Sequence, residues 1–216
     1  MNDNRKYQYS KNSFTDRREY KVILDIIPER SKIIDLGCGD GSLIKLLKKK
    51  KIKAEGLDSS QSAVSSTVKK GLKARKLKID GKLPYKDNNF DWAICNVTLH
   101  MVNYPEILIS EAFRISKNQI FTFPNFAFFI NRFELMFKGR MPTFMLSGYE
   151  WYSTGHTHQL SLKDFEKYCL SKNIFILNKC HLYPKQLVFI PKDIKEKYAD
   201  FFATMGIYVT GNKKSK

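Results

Sequence analysis

Residues 33–42 read Ile33-Ile34-Asp35-Leu36-Gly37-Cys38-Gly39-Asp40-Gly41-Ser42, an apolar run that leads into a glycine-rich loop. An amphipathic segment with Leu43, Ile44 and Leu47 follows directly. This order predicts a buried strand, a tight turn and a helix. Glycine permits the sharp turn and lets a ligand approach the backbone closely, because no Cβ stands in the way. The segment therefore predicts a ligand-binding turn at the end of the first strand.

The glycine spacing distinguishes between kinds of nucleotide ligand. Gly37, Gly39 and Gly41 form G-x-G-x-G, whereas a dinucleotide fingerprint would have its third glycine at the position of Ser42. Asp35 lies just before the loop, where a carboxylate would repel a pyrophosphate and attract a cation. The pattern therefore disfavours a nicotinamide or flavin cofactor. It suits S-adenosylmethionine, which carries a sulfonium and an ammonium group.

Further acids follow the next two predicted strands. Asp58 ends the second strand, at a distance from the glycine loop where a carboxylate can accept both ribose hydroxyls. Asp80 ends the third, placed to accept from an adenine amino group. A single such acid is more often a helix cap or a solvated turn residue, but three at successive strand ends favour a nucleoside site. The predicted cofactor-binding residues are Asp35, Gly37, Cys38, Gly39, Gly41, Asp58, Ser59, Asp80, Gly81 and Asn96.

With these features, residues 30 to 125 resemble the class I S-adenosylmethionine-dependent methyltransferases. The resemblance implies an α/β fold with a Rossmann-like, doubly wound, mostly parallel sheet of seven strands and an antiparallel hairpin at its C-terminal edge. Strands that alternate with helices predict the same parallel sheet, with ligands at the carboxyl ends of the strands. S-adenosyl-L-methionine is then the expected cofactor, and S-adenosyl-L-homocysteine its product.

Length and composition favour one domain over residues 1–216. The chain is 43% hydrophobic, which suits a single large core. No apolar run approaches the roughly eighteen residues that span a bilayer, and the N-terminus lacks the apolar region of a signal peptide. We therefore expect a cytoplasmic protein without membrane association. Four widely spaced cysteines are expected to be reduced and buried: Cys38, Cys95, Cys169 and Cys180.

The net charge of +17 has two interpretations. It can attract nucleic acid or another acidic partner. It can also reflect composition, because the chain is rich in Lys, Asn, Ile, Phe and Tyr together. Lysine runs without an arginine cluster are poorly suited to specific base readout. We therefore favour the compositional interpretation and keep a nucleic-acid methyltransferase as the weakest alternative.

Three segments lie outside the repeated strand–helix pattern, and the sequence predicts a different character for each. Residues 1–14 are a flexible arm, 125–158 an aromatic insertion for a substrate or a partner, and 211–216 a disordered tail. The phenylalanines of 126–137 have the spacing of a buried helix face. Predicted helices cover 16–27, 42–50, 60–70, 104–115, 125–139, 161–171 and 191–204. Strands after the first are predicted at 52–57, 74–79, 91–96, 119–123, 174–181 and 186–190, the last two as the edge hairpin.

Longer sequence strings in the middle of the chain point to one family within these methyltransferases. Residues 30 to 180 resemble the MetW family of methionine biosynthesis proteins through the glycine loop, Phe121–Phe126, Gly139–Pro142, Tyr149–Tyr152, His158 and Leu162–Glu166. The chain departs from the family at residues 153–156, where the family has an Asp-Thr-Pro-Asn-like run. The resemblance implies a protein that works with homoserine O-acyltransferase in methionine synthesis.

Two classes of function follow, and whether the chain is an enzyme stays open. In one, it transfers a methyl group to an unidentified small molecule, and the candidate general bases are His158, His100 and Glu150. In the other, which we favour for the cellular role, residues 126–152 dock on the acyltransferase and the cofactor pocket is a sensing or structural site. His156 and His158 lack a cysteine or acid at a fixed spacing, so we expect no metal site.

Overall fold

The computed structural model describes residues 17–144, 151 and 155–211. Its strands are Lys32–Leu36 (β1), Lys53–Asp58 (β2), Lys73–Lys76 (β3), Phe90–Asn96 (β4), Ser116–Pro124 (β5), Phe175–Leu182 (β6) and Met205–Gly211 (β7). The helices are Arg18–Ile26 (α1), Ser42–Lys49 (α2), Gln61–Lys69 (α3), Pro105–Ile115 (α4), Phe129–Lys138 (α5), Leu162–Ser171 (α6), Lys192–Lys197 (α7) and Ala199–Phe202 (α8).

The strands form one sheet in the order β3-β2-β1-β4-β5-β7-β6. Strands β1 to β5 pair in parallel. Strand β7 runs antiparallel to both β5 and β6. The predicted doubly wound, mostly parallel sheet with an antiparallel edge hairpin is thus confirmed. The strand order reverses between β1 and β4, and in such sheets the ligand crevice opens at the carboxyl ends beside that point.

The core lies on both faces of the sheet. Ile33 belongs to an apolar cluster with Ile23 and Leu47, on the face covered by α1 and α2. The next residue, Ile34, belongs to a cluster on the other face, with Leu108 of α4 and Phe165 of α6. Successive side chains of a strand point to opposite faces, and both faces here are covered. This explains why β1 reads as a continuous apolar run.

The predicted strand over 186–190 is wrong. Lys185–Leu187 forms a single 3-10 turn, and Val188 and Phe189 are exposed. The alternation of apolar residues there predicted a strand, but these residues do not pack on a face of the sheet. The true partner of β6 is β7, which takes Gly211 out of the predicted tail and pairs it with Asn118 and Phe175. The rest of that tail, 212–216, and the predicted arm 1–14 lie outside the described residues.

Two other element boundaries differ from the prediction. Strand β3 ends at Lys76 rather than at residue 79, because its neighbour β2 ends at Asp58, whose carbonyl accepts the Leu77 N–H at 2.9 Å. Asp80 therefore lies in a bend beyond the strand. The predicted helix 191–204 divides at Tyr198 into α7 and α8. Six other predicted helices are present, with ends shifted by a few residues.

The prediction that the phenylalanines of the aromatic segment form a buried face is only partly right. Phe128 is fully buried, but Phe133 and Phe137 of α5 are 45% and 72% exposed. The part of the predicted insertion that covers 145–150 and 152–154 lies outside the described residues. The four cysteines are unpaired; Cys38, Cys95 and Cys169 are buried, as predicted, but Cys180 is only half-buried. None of the helices in 17–144 and 155–211 has the length and apolar character needed to cross a bilayer.

Candidate functional site

The glycine loop is anchored on the end of β2. The N–H groups of Gly37 and Cys38 both donate to the Leu57 carbonyl, at 2.8 and 2.9 Å. The Gly39 N–H donates to Asp58 Oδ2 at 2.9 Å. All three glycines of the loop have positive φ angles, between 55° and 86°. Residues with a side chain rarely adopt this conformation, so the turn requires the glycines that the sequence places there.

The loop glycines meet different surroundings. A Cβ at Gly37 would overlap with the side chain of Thr98, which follows β4. At Gly39, by contrast, no atom of the described residues lies within 4 Å of a Cβ position. Gly37 therefore closes the loop against β4, and Gly39 leaves room for a ligand. Thr98 is a site residue that the sequence pattern did not reveal.

Asp35 is the most unusual group at this edge. It lies on β1 between Gly56 of β2 and Ile94 of β4, and it is 2% exposed. Its Oδ1 accepts no hydrogen bond from the residues that the structure describes. Burial, and then the nearby Asp58 carboxylate, raise its pKa to about 7. A buried polar atom is normally paired, so this oxygen fits a ligand that brings a cation or a donor.

Asp58 organises the turn beside Asp35. In addition to the Gly39 N–H, it accepts the Ser60 N–H through Oδ1 at 2.8 Å. Ser60 in turn caps α3 by accepting from the Ala63 N–H. A carboxylate has about four acceptor directions, so these two bonds are compatible with ribose hydroxyls as further donors. The acid thus fixes the loop and can still face a ligand.

The remaining predicted cofactor residues are placed less specifically. Ser59 and Asp80 are exposed, and Gly81 has open space around it within the described chain. They follow β2 and β3, whose carboxyl ends lie at the same edge of the sheet as the glycine loop. Asn96 is buried, and its Oδ1 accepts from the Thr122 hydroxyl at 2.6 Å, which ties β4 to β5. The roles of these four residues in cofactor binding stay predictions.

The turn after β4 has a strained backbone. Val97 has a φ angle of 55°, which is rare for a β-branched residue. Its N–H is held by both the carbonyl and the hydroxyl of Thr122, each at 3.0 Å. Such strain is frequent at functional sites, where surrounding contacts enforce it. Here it brings Thr98 against the glycine loop and begins the turn that carries His100.

The structure places two of the three predicted catalytic residues together. The carbonyl of His100 accepts the N–H groups of Thr157 and His158, at 3.0 and 3.1 Å. The His100 ring lies edge-on to His156 with 4.4 Å between ring centroids. His158 itself is exposed. The third candidate, Glu150, lies outside the described residues.

His100 is also buried without a partner. It is 1% exposed, and neither ring nitrogen is hydrogen-bonded to a described residue. Burial, and then the neighbouring His156 and His158, lower its pKa to about 3. The imidazole is therefore neutral at physiological pH. A neutral ring offers one N–H donor and one acceptor nitrogen, so the edge that holds Asp35 has a second unsatisfied polar group.

Comparison with known proteins identifies the family of the chain. The model of the family "Methionine biosynthesis protein MetW" matches residues 17–210. The bifunctional methionine biosynthesis protein MetXA/MetW of Rhodopirellula baltica is 31% identical over 130 residues, which are 56% of this chain and 21% of that protein. The trans-aconitate 2-methyltransferase of Mycolicibacterium gilvum is 33% identical over 100 residues, 44% of this chain and 38% of that enzyme. The aligned parts are thus under two fifths of the length of either relative.

Solved structures show the same fold. An S-adenosylmethionine-dependent methyltransferase from Mesorhizobium loti superposes with a TM-score of 0.65 over 91% of this chain and 99% of that one, at 16% sequence identity. At this identity the likeness concerns the fold, and the match to the family model over residues 17–210 concerns the family. The chain therefore belongs to the MetW family of methionine biosynthesis proteins and has the fold of the S-adenosylmethionine-dependent methyltransferases.

Proposed function

We propose that this chain binds S-adenosylmethionine at the carboxyl ends of β1 and β2 and acts in methionine biosynthesis with a homoserine O-acyltransferase. The observation that carries the first part is Asp35, a carboxylate that is buried beside the glycine loop while Oδ1 lacks a partner among the described residues. Leaving such a group unpaired is unfavourable, and a positively charged ligand removes the penalty. S-adenosylmethionine has the required charge.

The neighbouring residues fit the rest of that molecule. The open space at Gly39 lets a ligand approach the backbone of the loop. Asp58 is held in place by two backbone N–H groups, which suits a carboxylate that receives ribose hydroxyls. Asp80 and Gly81, beyond β3, would lie on the adenine side, and Asn96 and Ser59 would complete the wall. These assignments are part of the proposal.

S-adenosylmethionine, when bound, supplies a methyl group for in-line displacement by a nucleophile. The protein then contributes mainly orientation and exclusion of water. His100 suits hydrogen bonding to an acceptor molecule rather than proton removal, because a base with a pKa of about 3 is weak at neutral pH. His158, which is exposed beside it, is the better candidate for a general base.

The partnership has separate support. The relative from Rhodopirellula baltica is named for a MetXA and a MetW function in one protein. Joining two proteins in one chain raises the effective concentration of each for the other, which favours pairs that act together. The MetW resemblance implies the same acyltransferase as partner. We propose that the region described here associates with that acyltransferase.

A second candidate function is methyl transfer to a small carboxylic acid. The relative from Mycolicibacterium gilvum is named as a methyltransferase of trans-aconitate. A carboxylate acceptor is already ionised at neutral pH, so it needs no general base, and the net charge of +17 would favour its approach. Release of S-adenosylhomocysteine on incubation with di- and tricarboxylic acids would favour this candidate over the partnership.

Calorimetry tests cofactor binding directly. We expect saturable binding of S-adenosylmethionine and S-adenosylhomocysteine at one site, and at least about tenfold weaker binding by Asp58→Ala, which loses charge-assisted hydrogen bonds. Asp25→Ala is the matched control, since Asp25 is exposed on α1. Absence of saturable binding, or equal affinity of Asp58→Ala and the unchanged chain, would contradict the proposal.

The partnership has its own test. We expect acyltransferase activity to change when the chain is added and the two proteins to co-elute. Unchanged activity and separate elution would contradict the partnership.

A further inference from the structure

A row of phenylalanine rings in contact with one another leads from the core to the surface along α5. Phe128, just before the helix, is fully buried, and Phe129 lies against it with 4.6 Å between ring centroids. Phe133 contacts Phe129 edge-on at 6.3 Å. Phe137 stacks on Phe133 at 5.6 Å, with only 10° between the ring planes. The rings therefore order one another, although the outer two face water.

Three of the phenylalanines and Met136 share one face of α5. Phe129, Phe133, Met136 and Phe137 are spaced by four, three and one residues, which places them on one side of an α-helix. Met136 is 66% exposed, and Asn131 is the one residue of α5 that is fully buried. A surface helix normally turns its apolar face to the core. An apolar face in water marks an interaction site, and we call Phe133, Met136 and Phe137 the α5 face.

Contacts at both ends fix this helix in place. Arg132 pairs with Asp200 at 2.8 Å and reaches across to α8. At the other end, Glu134 accepts from Lys138 at 3.1 Å and from the Thr143 N–H at 3.1 Å. The helix is thus ordered before any partner arrives. A preformed aromatic surface loses little conformational entropy on binding, which favours affinity.

The rim of the α5 face is positively charged. Lys138 and Arg140 both approach Glu134, at 3.1 and 4.0 Å, so one carboxylate serves two cations. Both cations are largely exposed, while Glu134 is mostly covered. The complementary surface would therefore have an apolar centre and an acidic rim. A second copy of this chain fits poorly, because it would bring the same basic rim and another +17 of net charge.

We propose that the α5 face is the surface on which homoserine O-acyltransferase docks, with the helix lying in an apolar groove that has an acidic rim. This inference rests on the partnership proposed above and adds its location. Helices that present anchors at i, i+3 and i+4 bind grooves in this way. Large aromatic anchors commonly provide most of the binding energy at such interfaces.

The test compares two matched double variants in their binding to purified homoserine O-acyltransferase from the organism that encodes this chain. Met136→Ser/Phe137→Ser removes exposed side chains of the α5 face. Val188→Ser/Phe189→Ser removes a comparably exposed apolar pair, 83% and 76% exposed, before α7. We expect the first variant to raise the Kd by at least about tenfold and the second by less than about threefold. Calorimetry with S-adenosylmethionine and thermal melting confirm that both variants fold.

The possible outcomes separate the two proposals. If the unchanged chain binds the acyltransferase and the α5 variant binds equally well, the docking surface is wrong while the partnership stands. If the unchanged chain does not bind the acyltransferase, the partnership fails first. Concentration-dependent dimerisation that the α5 variant abolishes would assign the face to a second copy and overturn the inference. Binding to phosphatidylserine vesicles that depends on Phe137 would overturn it in favour of a lipid surface.

Discussion

Two polar clusters at opposite ends of the parallel strands differ in how completely they are hydrogen-bonded. Near the amino end of β4, Arg114 donates to both oxygens of Glu111 at 2.8 and 2.6 Å, and to Asp87 at 2.8 Å. It also donates to the carbonyls of Tyr85 and Leu83, at 2.7 and 3.0 Å. A guanidinium has five N–H donors. The five bonds of Arg114 match that number.

The carboxyl edge is the opposite case. Asp35 and His100 are at least as well buried as that cluster, yet Asp35 Oδ1 and both nitrogens of His100 lack partners within the described part of the chain. Both pKa shifts favour the neutral form. This difference in hydrogen bonding indicates which cluster is the candidate functional site. Polar groups that are fully hydrogen-bonded within the fold contribute to its stability, whereas the unpaired Asp35 and His100 at one sheet edge indicate a candidate ligand site.

The largest expected effect comes from Asp35→Asn. It removes the carboxylate that would face the cofactor cation, so the affinity for S-adenosylmethionine should fall at least about a hundredfold, the scale of a broken buried charge pair. The ligand-free protein should become more stable at pH 8, by about 2–4 kcal/mol, because the ionised carboxylate is no longer buried. Urea unfolding and calorimetry measure the two effects, with Asp25→Asn as the exposed control. A variant that is less stable and still binds would contradict the comparison.

Arg114→Met should have the reverse profile. It leaves the Glu111 carboxylate without its cation and two backbone carbonyls without their donor, and we expect a loss of about 2–4 kcal/mol of unfolding free energy. The affinity of the folded fraction for S-adenosylmethionine should change less than about threefold, since independent sites behave additively. Urea unfolding and calorimetry below the melting temperature check both numbers. A variant that loses cofactor binding while its stability is unchanged would contradict the structural role of the Arg114 cluster.

Gly37→Ala separates steric conflict from backbone strain at the carboxyl edge of the sheet. Both Gly37 and Gly71 have positive φ angles, but a Cβ at Gly37 would overlap with Thr98, whereas Gly71 has open space within the described chain. We expect a loss of about 2–3 kcal/mol for Gly37→Ala and about 1 kcal/mol for Gly71→Ala. Chemical denaturation of the two variants gives the difference. Equal losses would mean that the contact with Thr98 is not rigid.

Substitution of His100 should have the smallest effect on the free energy of unfolding, and only at acidic pH. The His100 pKa of about 3 in the folded chain lies below the ordinary histidine value of 6.5, so the unfolded chain takes up a proton first as the pH falls through 6.5 towards 3. Its contribution to stability is complete above pH 6.5, and about 2 kcal/mol of it is lost by pH 5. His100→Gln should abolish that part of the acid loss in unfolding curves. An NMR titration of His100 with a midpoint near 6.5 would contradict the assignment.

Local patterns predicted the strand, glycine loop and helix at the start of the sheet, and the structure contains all three. The glycine loop, Asp35 and Asp58 are within 26 residues of one another, and the short right-handed connections of parallel strands leave few alternative arrangements. Their neighbours in the sheet therefore follow from their order in the chain. Thr98 and the strained Val97 were missed because no residue pattern marks a left-handed valine.

The C-terminal half of the chain was predicted less well, because its residues contact partners that are distant in sequence. His100 owes its burial partly to residues 155–158, more than fifty positions later. Strand β7 pairs with β5 across about ninety residues, and nothing local distinguishes it from the alternating residues 186–190. The spacing of Phe133 and Phe137 predicts an apolar face, but it does not tell whether that face meets the core or another molecule.

The most direct test of the account is the number of protons released when S-adenosylmethionine binds. Calorimetry at pH 6.5 in phosphate and in Tris measures it, at a pH where the amino group of the ligand remains protonated. If Asp35 has a pKa of about 7 in the free protein and becomes ionised beside the bound cation, about 0.5 to 1 proton should be released per ligand. Saturable binding with the same enthalpy in both buffers would contradict the central role of Asp35.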